Sequence, residues 1–256
     1  MLARETDADV LAFAVVDRQA SRVLQVSVVG PQGVGVAGLP VTVAPGGAPL
    51  VTAPCGRGCY RATDRTSARR ITVRVSGHRL HALWRIELPP HATPAESIVR
   101  RAGAVWRGLR SLRWHEVLGS SERDVVTSEW RVTAPDRLAY RVRGGPSTVI
   151  VGGTRWDRFS SRTGWVETPQ TSLGRQPQPF WVRVADARLL GRTTFRGRPV
   201  WSLTFFDPAT PTWFHILVDT RTLHTLHIDM YATAHFMHDT YGAFDSAAPI
   251  APPQHR

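Results

Sequence analysis

Residues 93–112 read Thr93-Pro94-Ala95-Glu96-Ser97-Ile98-Val99-Arg100-Arg101-Ala102-Gly103-Ala104-Val105-Trp106-Arg107-Gly108-Leu109-Arg110-Ser111-Leu112. Thr93, Pro94 and Glu96 have the spacing of a capping box: a hydroxyl at the N-cap, proline in the first helical position, a carboxylate two places on. Ile98, Ala102, Val105, Leu109 and Leu112 then recur every three or four residues. That period predicts an amphipathic helix of about five turns. Arg100, Arg101, Arg107 and Arg110 fall mostly off its apolar stripe.

Strand patterns flank this stretch on both sides. Upstream, Leu11–Val16, Val23–Val28, Val41–Val43, Ile71–Val75 and His81–Leu88 are short, β-branched or alternating runs. They stop at Gly30-Pro31, Pro45-Gly46-Gly47 and Pro89-Pro90. Ile71, Val73 and Val75 share one face. About seven strands in so short a segment predict an immunoglobulin-like β-sandwich over residues 10–89. Downstream, Trp130 and Val132 alternate with Glu129 and Arg131, and Leu138, Tyr140 and Val142 with Arg137, Ala139, Arg141 and Arg143. Trp201–Phe206 is apolar on both faces, so that strand needs cover on both, and the helix supplies one side. The expected second domain, 93–250, is a curved antiparallel half-barrel covered by one helix. The fold class is mainly β, α+β by composition. Thr168–Gln178, rich in Pro, Gln and Gly, reads as a long loop.

Composition narrows the function. The chain has 256 residues, 42% hydrophobic and 20% charged, which are globular values. No apolar run approaches the ~20 residues that span a bilayer, and no signal peptide is visible at MLARETDADV. The formal net charge is +12. All 32 basic residues are arginine, and lysine and asparagine are absent, as GC-rich coding produces. The arginines are spread along the chain, so no nucleic-acid partner is expected. Attraction to acidic lipid headgroups is compatible with the charge. Eight of nine Trp, eight of nine Phe and three of four Tyr follow residue 92. Aromatics in that number fill a core or line an apolar cavity.

Few motifs carry chemistry. Gly33–Gly38 matches GxGxxG but leads into a strand, so it is read as a turn. Cys55 and Cys59 flank Gly56-Arg57-Gly58 and are read as a disulfide, with free thiols or a metal pair as alternatives. His224, Met230, His235 and Met237 form a His/Met cluster of a kind that suits copper, with core packing as the other reading. His215, His227 and His238 lie close in sequence. No nucleophile elbow or HExxH motif is present. Glu116, Glu122, Asp124 and Glu129 are spaced like solvent-face carboxylates. No enzyme activity is expected.

Two resemblances extend these readings. Through Pro54-Cys55-Gly56-Arg57-Gly58-Cys59-Tyr60 and Trp84…Leu88-Pro89, the first segment resembles the YtkA/FixH-like sandwich of bacterial extracytoplasmic proteins, some associated with CopC/CopD-type copper resistance. The second segment is similar to the LolA/LppX half-barrel. Its relevant residues are the helix 93–112, Thr212–Asp219 with Thr222, and His235-Phe236-Met237…Tyr241…Phe244. The resemblance implies a non-enzymatic, extracytoplasmic domain that holds a lipid or other apolar molecule. That domain would be membrane-associated, as the outer part of a larger membrane protein. The expected cavity wall is Val105, Leu109, Trp130, Tyr140, Trp201, Phe205, Phe214 and Ile216. The alternative is copper binding through the His/Met cluster.

Overall fold

The computed structural model describes residues 1–77 and 80–254. Nine strands build two facing sheets. They are β1 (Leu2–Thr6), β2 (Asp9–Arg18), β3 (Ser21–Val29), β4 (Val41–Pro45), β5 (Leu50–Val51), β6 (Ala53–Gly56), β7 (Cys59–Asp64), β8 (Arg70–Ser76) and β9 (His81–Glu87). One sheet has the order β1-β2-β3-β7-β6 and the other β5-β4-β8-β9. Leu24, Val26 and Val28 face Ile71, Val73 and Val75 across a dry core. The alternation legible in β3 and β8 is therefore the one that packs. Strand β1 has no counterpart among the runs legible in the sequence.

The Gly33–Gly38 stretch is a loop, joined to β3 by a bridge between Val29 and Gly35. Gly58 crosses Gly35 so closely that a Cβ on Gly58 would stand 2.5 Å from the Gly35 Cα. These glycines serve backbone crossing, as a turn reading requires. Cys55 and Cys59 form a disulfide across the β6–β7 hairpin. Reducing it opens a very short loop, so the expected loss of stability is only about 2 kcal/mol. Denaturation with and without reductant measures this, and a loss above twice that size would show that the bridge does more than close the hairpin.

The rest of the described residues make one antiparallel sheet and one helix. The elements are β10 (Thr93–Pro94), α1 (Glu96–Gly108), β11 (Ser111–Gly119), β12 (Val125–Thr133), β13 (Arg137–Val142), β14 (Ser147–Val151), β15 (Thr154–Arg158), β16 (Val166–Pro169), β17 (Ala185–Phe195), β18 (Arg198–Asp207), β19 (Thr212–Asp219), β20 (Thr225–Ala232) and β21 (His235–Gly242). The order is β10-β17-β18-β19-β20-β21-β11-β12-β13-β14-β15-β16. The last strand, β21, thus lies in the interior of the sheet, between β20 and β11.

The helix differs from its sequence reading. Thr93 and Pro94 pair with Leu189 and Arg188 of β17, so they are extended and cannot open a helix. Ala95 takes the N-cap position without a side-chain cap, and its N–H bonds the Ala187 carbonyl instead. The helix has 13 residues and ends before Leu109, while Leu112 belongs to β11. Its buried face is Val99, Ala102, Gly103 and Trp106, rotated from the expected stripe. Trp106 is the reason: the largest side chain of the helix takes the inward position, and Val105 is left half-buried.

The first unit covers the other side of the sheet. Thr204 Oγ1 donates to the Met1 carbonyl at 2.6 Å, and Trp213 Nε1 donates to Met1 Sδ at 2.7 Å. Val10, Tyr231 and Phe236 form a small core at this seam. Strands β18–β21 are therefore buried on the inner face by α1 and on the outer face by β1 and β2. This accounts for the doubly apolar run Trp201–Phe206.

Candidate binding site on the inner face

One cross-strand row organises the inner face. Trp114 pairs with Tyr241 on one side and Trp130 on the other, Trp130 with Tyr140, Tyr140 with Thr148, and Thr148 with Asp157. The period of two puts all six on the same side of the sheet. Trp114 stacks on Trp130 with centroids 5.4 Å apart, and Trp130 on Tyr140 at 4.4 Å. The row begins buried at Tyr241 and Trp114 and becomes half-buried at Trp130 and Tyr140. It ends where Thr148 Oγ1 donates to Asp157 Oδ1 at 2.6 Å and Arg155 pairs with Asp157 at 2.7 Å.

The next row is polar. Asp239 is paired with Glu116, and Glu116 with Ser128. Glu116 is buried, not solvent-facing as its spacing suggests, because β21 closes over it on one side and β12 on the other. Glu116 Oε1 accepts from Ser128 Oγ at 3.0 Å and from Trp130 Nε1 at 3.1 Å. Tyr241 donates its hydroxyl to Asp239 Oδ2. Burial, with the Glu116 carboxylate opposite, pushes the Asp239 carboxyl up to about 8. Asp239 Oδ1, Trp106 Nε1 and Trp114 Nε1 are buried with no hydrogen-bond partner among the described residues. Trp106 and Trp114 lie 4.8 and 5.9 Å from the Tyr241 ring, so these unmet groups surround one locus.

A segment between β16 and β17 covers this locus. Trp181 is buried edge-on against Trp106, Phe205 and Phe214, with centroids 5.7, 5.3 and 5.9 Å away. Gly103 leaves room for its indole. Phe180 is 39% exposed and touches Trp106 and Trp114 edge-on. The segment is anchored by Asp207, which accepts from the Val182 and Arg183 N–H groups at 2.6 and 3.2 Å. Burial opposes ionisation of Asp207, but these donors and the Ala209 N–H hold its carboxyl below the ordinary range.

The expected wall residues are divided between core and edge. Leu109, Phe205, Phe214 and Ile216 are fully packed under α1 and Trp181. Val105 and Trp201 are half-buried, and Trp130 and Tyr140 belong to the aromatic row. Trp114, Asp239, Phe180 and Trp181 escape the sequence reading, which names Tyr241 and Glu116 without assigning them to the wall. The alternation Leu112, Trp114, Glu116, Leu118 is the available signal for Trp114 and Glu116. A hollow of about 1310 Å³ lies elsewhere, between the two units, and includes Phe13, Arg22, Leu88, Pro89 and Arg188 in its lining.

The His/Met cluster divides between the two faces. Met230 and Met237 are cross-strand neighbours in the inner core. His235 is exposed at the start of β21. His224 stacks on Phe244 at 4.1 Å, outside β20. A register shift between Leu217–His227 and Val218–Thr225 breaks the alternation that would relate His224 to Met230. The two methionines are brought together, His235 keeps the parity of Met237 at the exposed start of β21, and His224 stands apart. Among the described residues no group of three or more His, Cys, Asp or Glu could hold a metal ion.

The neighbouring histidines gather on the outer face around Asp229. His215 Nδ1 lies 3.0 Å from Oδ2, and His227 Nε2 and His238 Nδ1 lie 3.0 and 2.8 Å from Oδ1. His238 Nε2 reaches Glu5 Oε1 of β1 at 3.2 Å. Hydrogen bonds to Asp229 and Glu5 push the His238 imidazolium up to about 10. His215 Nε2 lies 2.9 Å from Ser202 Oγ.

No family model matches the chain, and no curated protein matches it. Among solved structures, the chain is similar to LprF from Mycobacterium bovis at 12% identity and a TM-score of 0.43, covering 63% of this chain and 98% of that one. It is also similar to a LolA superfamily protein, NE2245 from Nitrosomonas europaea, at 9% identity and a TM-score of 0.29, over 62% and 96% of the two chains. A DUF1329 family protein from Desulfovibrio piger aligns at 10% identity and a TM-score of 0.30, over 60% and 92%.

Proposed function

We propose that this chain is a non-enzymatic binding protein that holds a lipid or other apolar molecule on the inner face of its large sheet. The observation that carries this reading is the aromatic row, which runs from half-buried Tyr140 and Trp130 to a locus of unmet buried polar groups. An apolar body stacked on the row gains about 25 cal/mol per Å² buried. A polar head at the inner end would meet the free indole N–H groups and Asp239. Phe180 is the side chain that moves aside, because it is 39% exposed and meets Trp106 and Trp114 by its edge. The two-sheet unit (10–89) and the half-barrel unit (93–250) are read as separate domains, the first bracing the second.

The Cys55–Cys59 disulfide favours an oxidising, extracytoplasmic compartment. No helix of the described residues is long and apolar enough to cross a membrane. The reading places the chain beside a membrane, as the outer part of a larger membrane protein. No reaction is assigned. Ser202, His215 and Asp229 are linked in the order of a nucleophilic triad, but Asp229 also holds His227 and His238, and the set braces the seam with β1. Among the described residues no assembled site favours copper.

Native mass spectrometry of gently purified protein, before and after solvent extraction, tests the reading. A solvent-extractable adduct of lipid mass is expected. Tyr140→Arg should reduce it about tenfold or more, since a charge then faces the apolar body. The melting temperature should hold, because Tyr140 is half-buried at the edge of the core. A bare wild-type chain, or an adduct untouched by Tyr140→Arg, would refute the assignment.

A further inference from the structure

The outer face of β11–β15 carries a second recess, on the side of the sheet opposite the aromatic row. Two cross-strand rows meet there. Arg113, Arg131, Ala139 and Val149 form one; Glu129, Arg141, Ser147 and Arg158 form the other. Ala139 and Ser147 are small and buried, so the longer side chains around them rim a hollow of about 620 Å³ with Trp165 in its wall. That volume is in the usual range for small-molecule sites.

The charge of this recess is unbalanced. Arg113 and Arg131 are direct cross-strand neighbours, an arrangement that is unfavourable for like charges. The Arg158 guanidinium lies 4.8 Å from the centroid of the Trp165 ring, and its Nε is buried without a partner among the described residues. Elsewhere the protein compensates such groups: Arg22 has Asp64 at 2.7 Å, Arg155 has Asp157 at 2.7 Å, and Arg188 has Asp186 at 2.9 Å. Among the described residues Arg113, Arg131, Arg141 and Arg158 have no carboxylate within 4.0 Å. Glu129 is the one acidic residue in the lining. GC-rich coding explains why these residues are arginine. It does not explain why three of them, Arg113, Arg131 and Arg141, line one hollow around two small side chains, with Arg158 beside it as the cross-strand partner of Ser147.

We propose that this recess binds a phosphate group. Guanidinium donors match paired phosphate oxygens in geometry and charge, and Ser147 adds a hydroxyl at the floor. The phosphate belongs either to a lipid headgroup or to a soluble phosphate ester, and the test separates the two.

The full chain is titrated with glycerol 3-phosphate by calorimetry. It is also floated with vesicles of phosphatidylglycerol in phosphatidylcholine and with phosphatidylcholine alone. The site variant is Arg131→Glu with Arg141→Glu. The matched variant, Arg74→Glu with Arg85→Glu, lowers the net charge equally through exposed residues of β8 and β9. Where the site variant fails to melt cooperatively, Arg141→Gln replaces it, since Arg141 is exposed. A loss of vesicle binding of about tenfold or more in the site variant alone supports a lipid phosphate. Saturable binding of glycerol 3-phosphate, lost in the site variant alone, supports a soluble ester. No binding of either probe, or equal loss in both double variants, overturns the proposal.

Discussion

Asp229→Ala is expected to lower stability by about 3–5 kcal/mol, the usual cost of removing one partner from a buried ionic network. The carboxylate meets three imidazoles, and through His238 it reaches Glu5 on β1. Removing it leaves a partly buried imidazolium with one acidic partner and loosens the seam between the units. Chemical denaturation should report the loss, and hydrogen exchange should rise first in residues 2–6. Asp229→Asn keeps the shape and one acceptor, so it should cost less. A change below about 1 kcal/mol for Asp229→Ala, the scale of an exposed ion pair, would mean that the network is only a solvated surface. The pH dependence has two limbs. Asp229 is held below its ordinary value, 3.8, so its contribution is complete above that value and is lost as the pH falls. His238 is raised from 6.5 to about 10, so its contribution is complete below 6.5 and is lost as the pH rises through 10.

The second large effect lies on the inner face. Asp239 is raised from 3.8 to about 8 by burial. A raised acid stabilises the fold fully below its unfolded value, and that contribution is lost as the pH climbs to the folded value. Wild-type stability should therefore decline between pH 4 and 8, and decline further through His238. Asp239→Asn removes the first decline, since the amide stays neutral and still accepts from Tyr241. At pH 9 this variant should be more stable than wild type by on the order of 2–4 kcal/mol, from ~1.4 kcal/mol for each tenfold change in proton affinity with allowance for relaxation. At pH 4 the two should agree within about 1 kcal/mol. Urea denaturation at both pH values measures this. A variant less stable than wild type at pH 9 would mean that the charged carboxylate is needed where it stands.

Local patterns carry much of the architecture. Ile71, Val73 and Val75 can be assigned to one face because each strand's period is visible in its own residues. Trp130 and Tyr140 can be placed on the inner face by the same alternation. What local reading misses depends on distant pairing. Thr93 looks like a helix cap until β17, nearly a hundred residues later, takes it into the sheet. Glu116 looks solvated until Asp239 is set across from it. Phe180 and Trp181 follow a proline-rich stretch with no period, so nothing local marks them as a cover. The His/Met cluster looks like one unit because sequence proximity does not show the bulge or the two faces.

The position of β21 has a consequence for synthesis. The free edges of the large sheet, β10 and β16, are both internal to the chain, while its final strand is an interior one. Pairing of Trp114 with Tyr241 joins residues 127 positions apart. Such closure is slow and comes late. A ribosome extends the chain at roughly 5–20 residues per second, so the β11–β16 half of the sheet waits many seconds with its β11 edge unpaired. A chain that stops at Ala234 would not lose an edge strand. It would lose the strand that joins two half-sheets, and with it the aromatic row that both halves share.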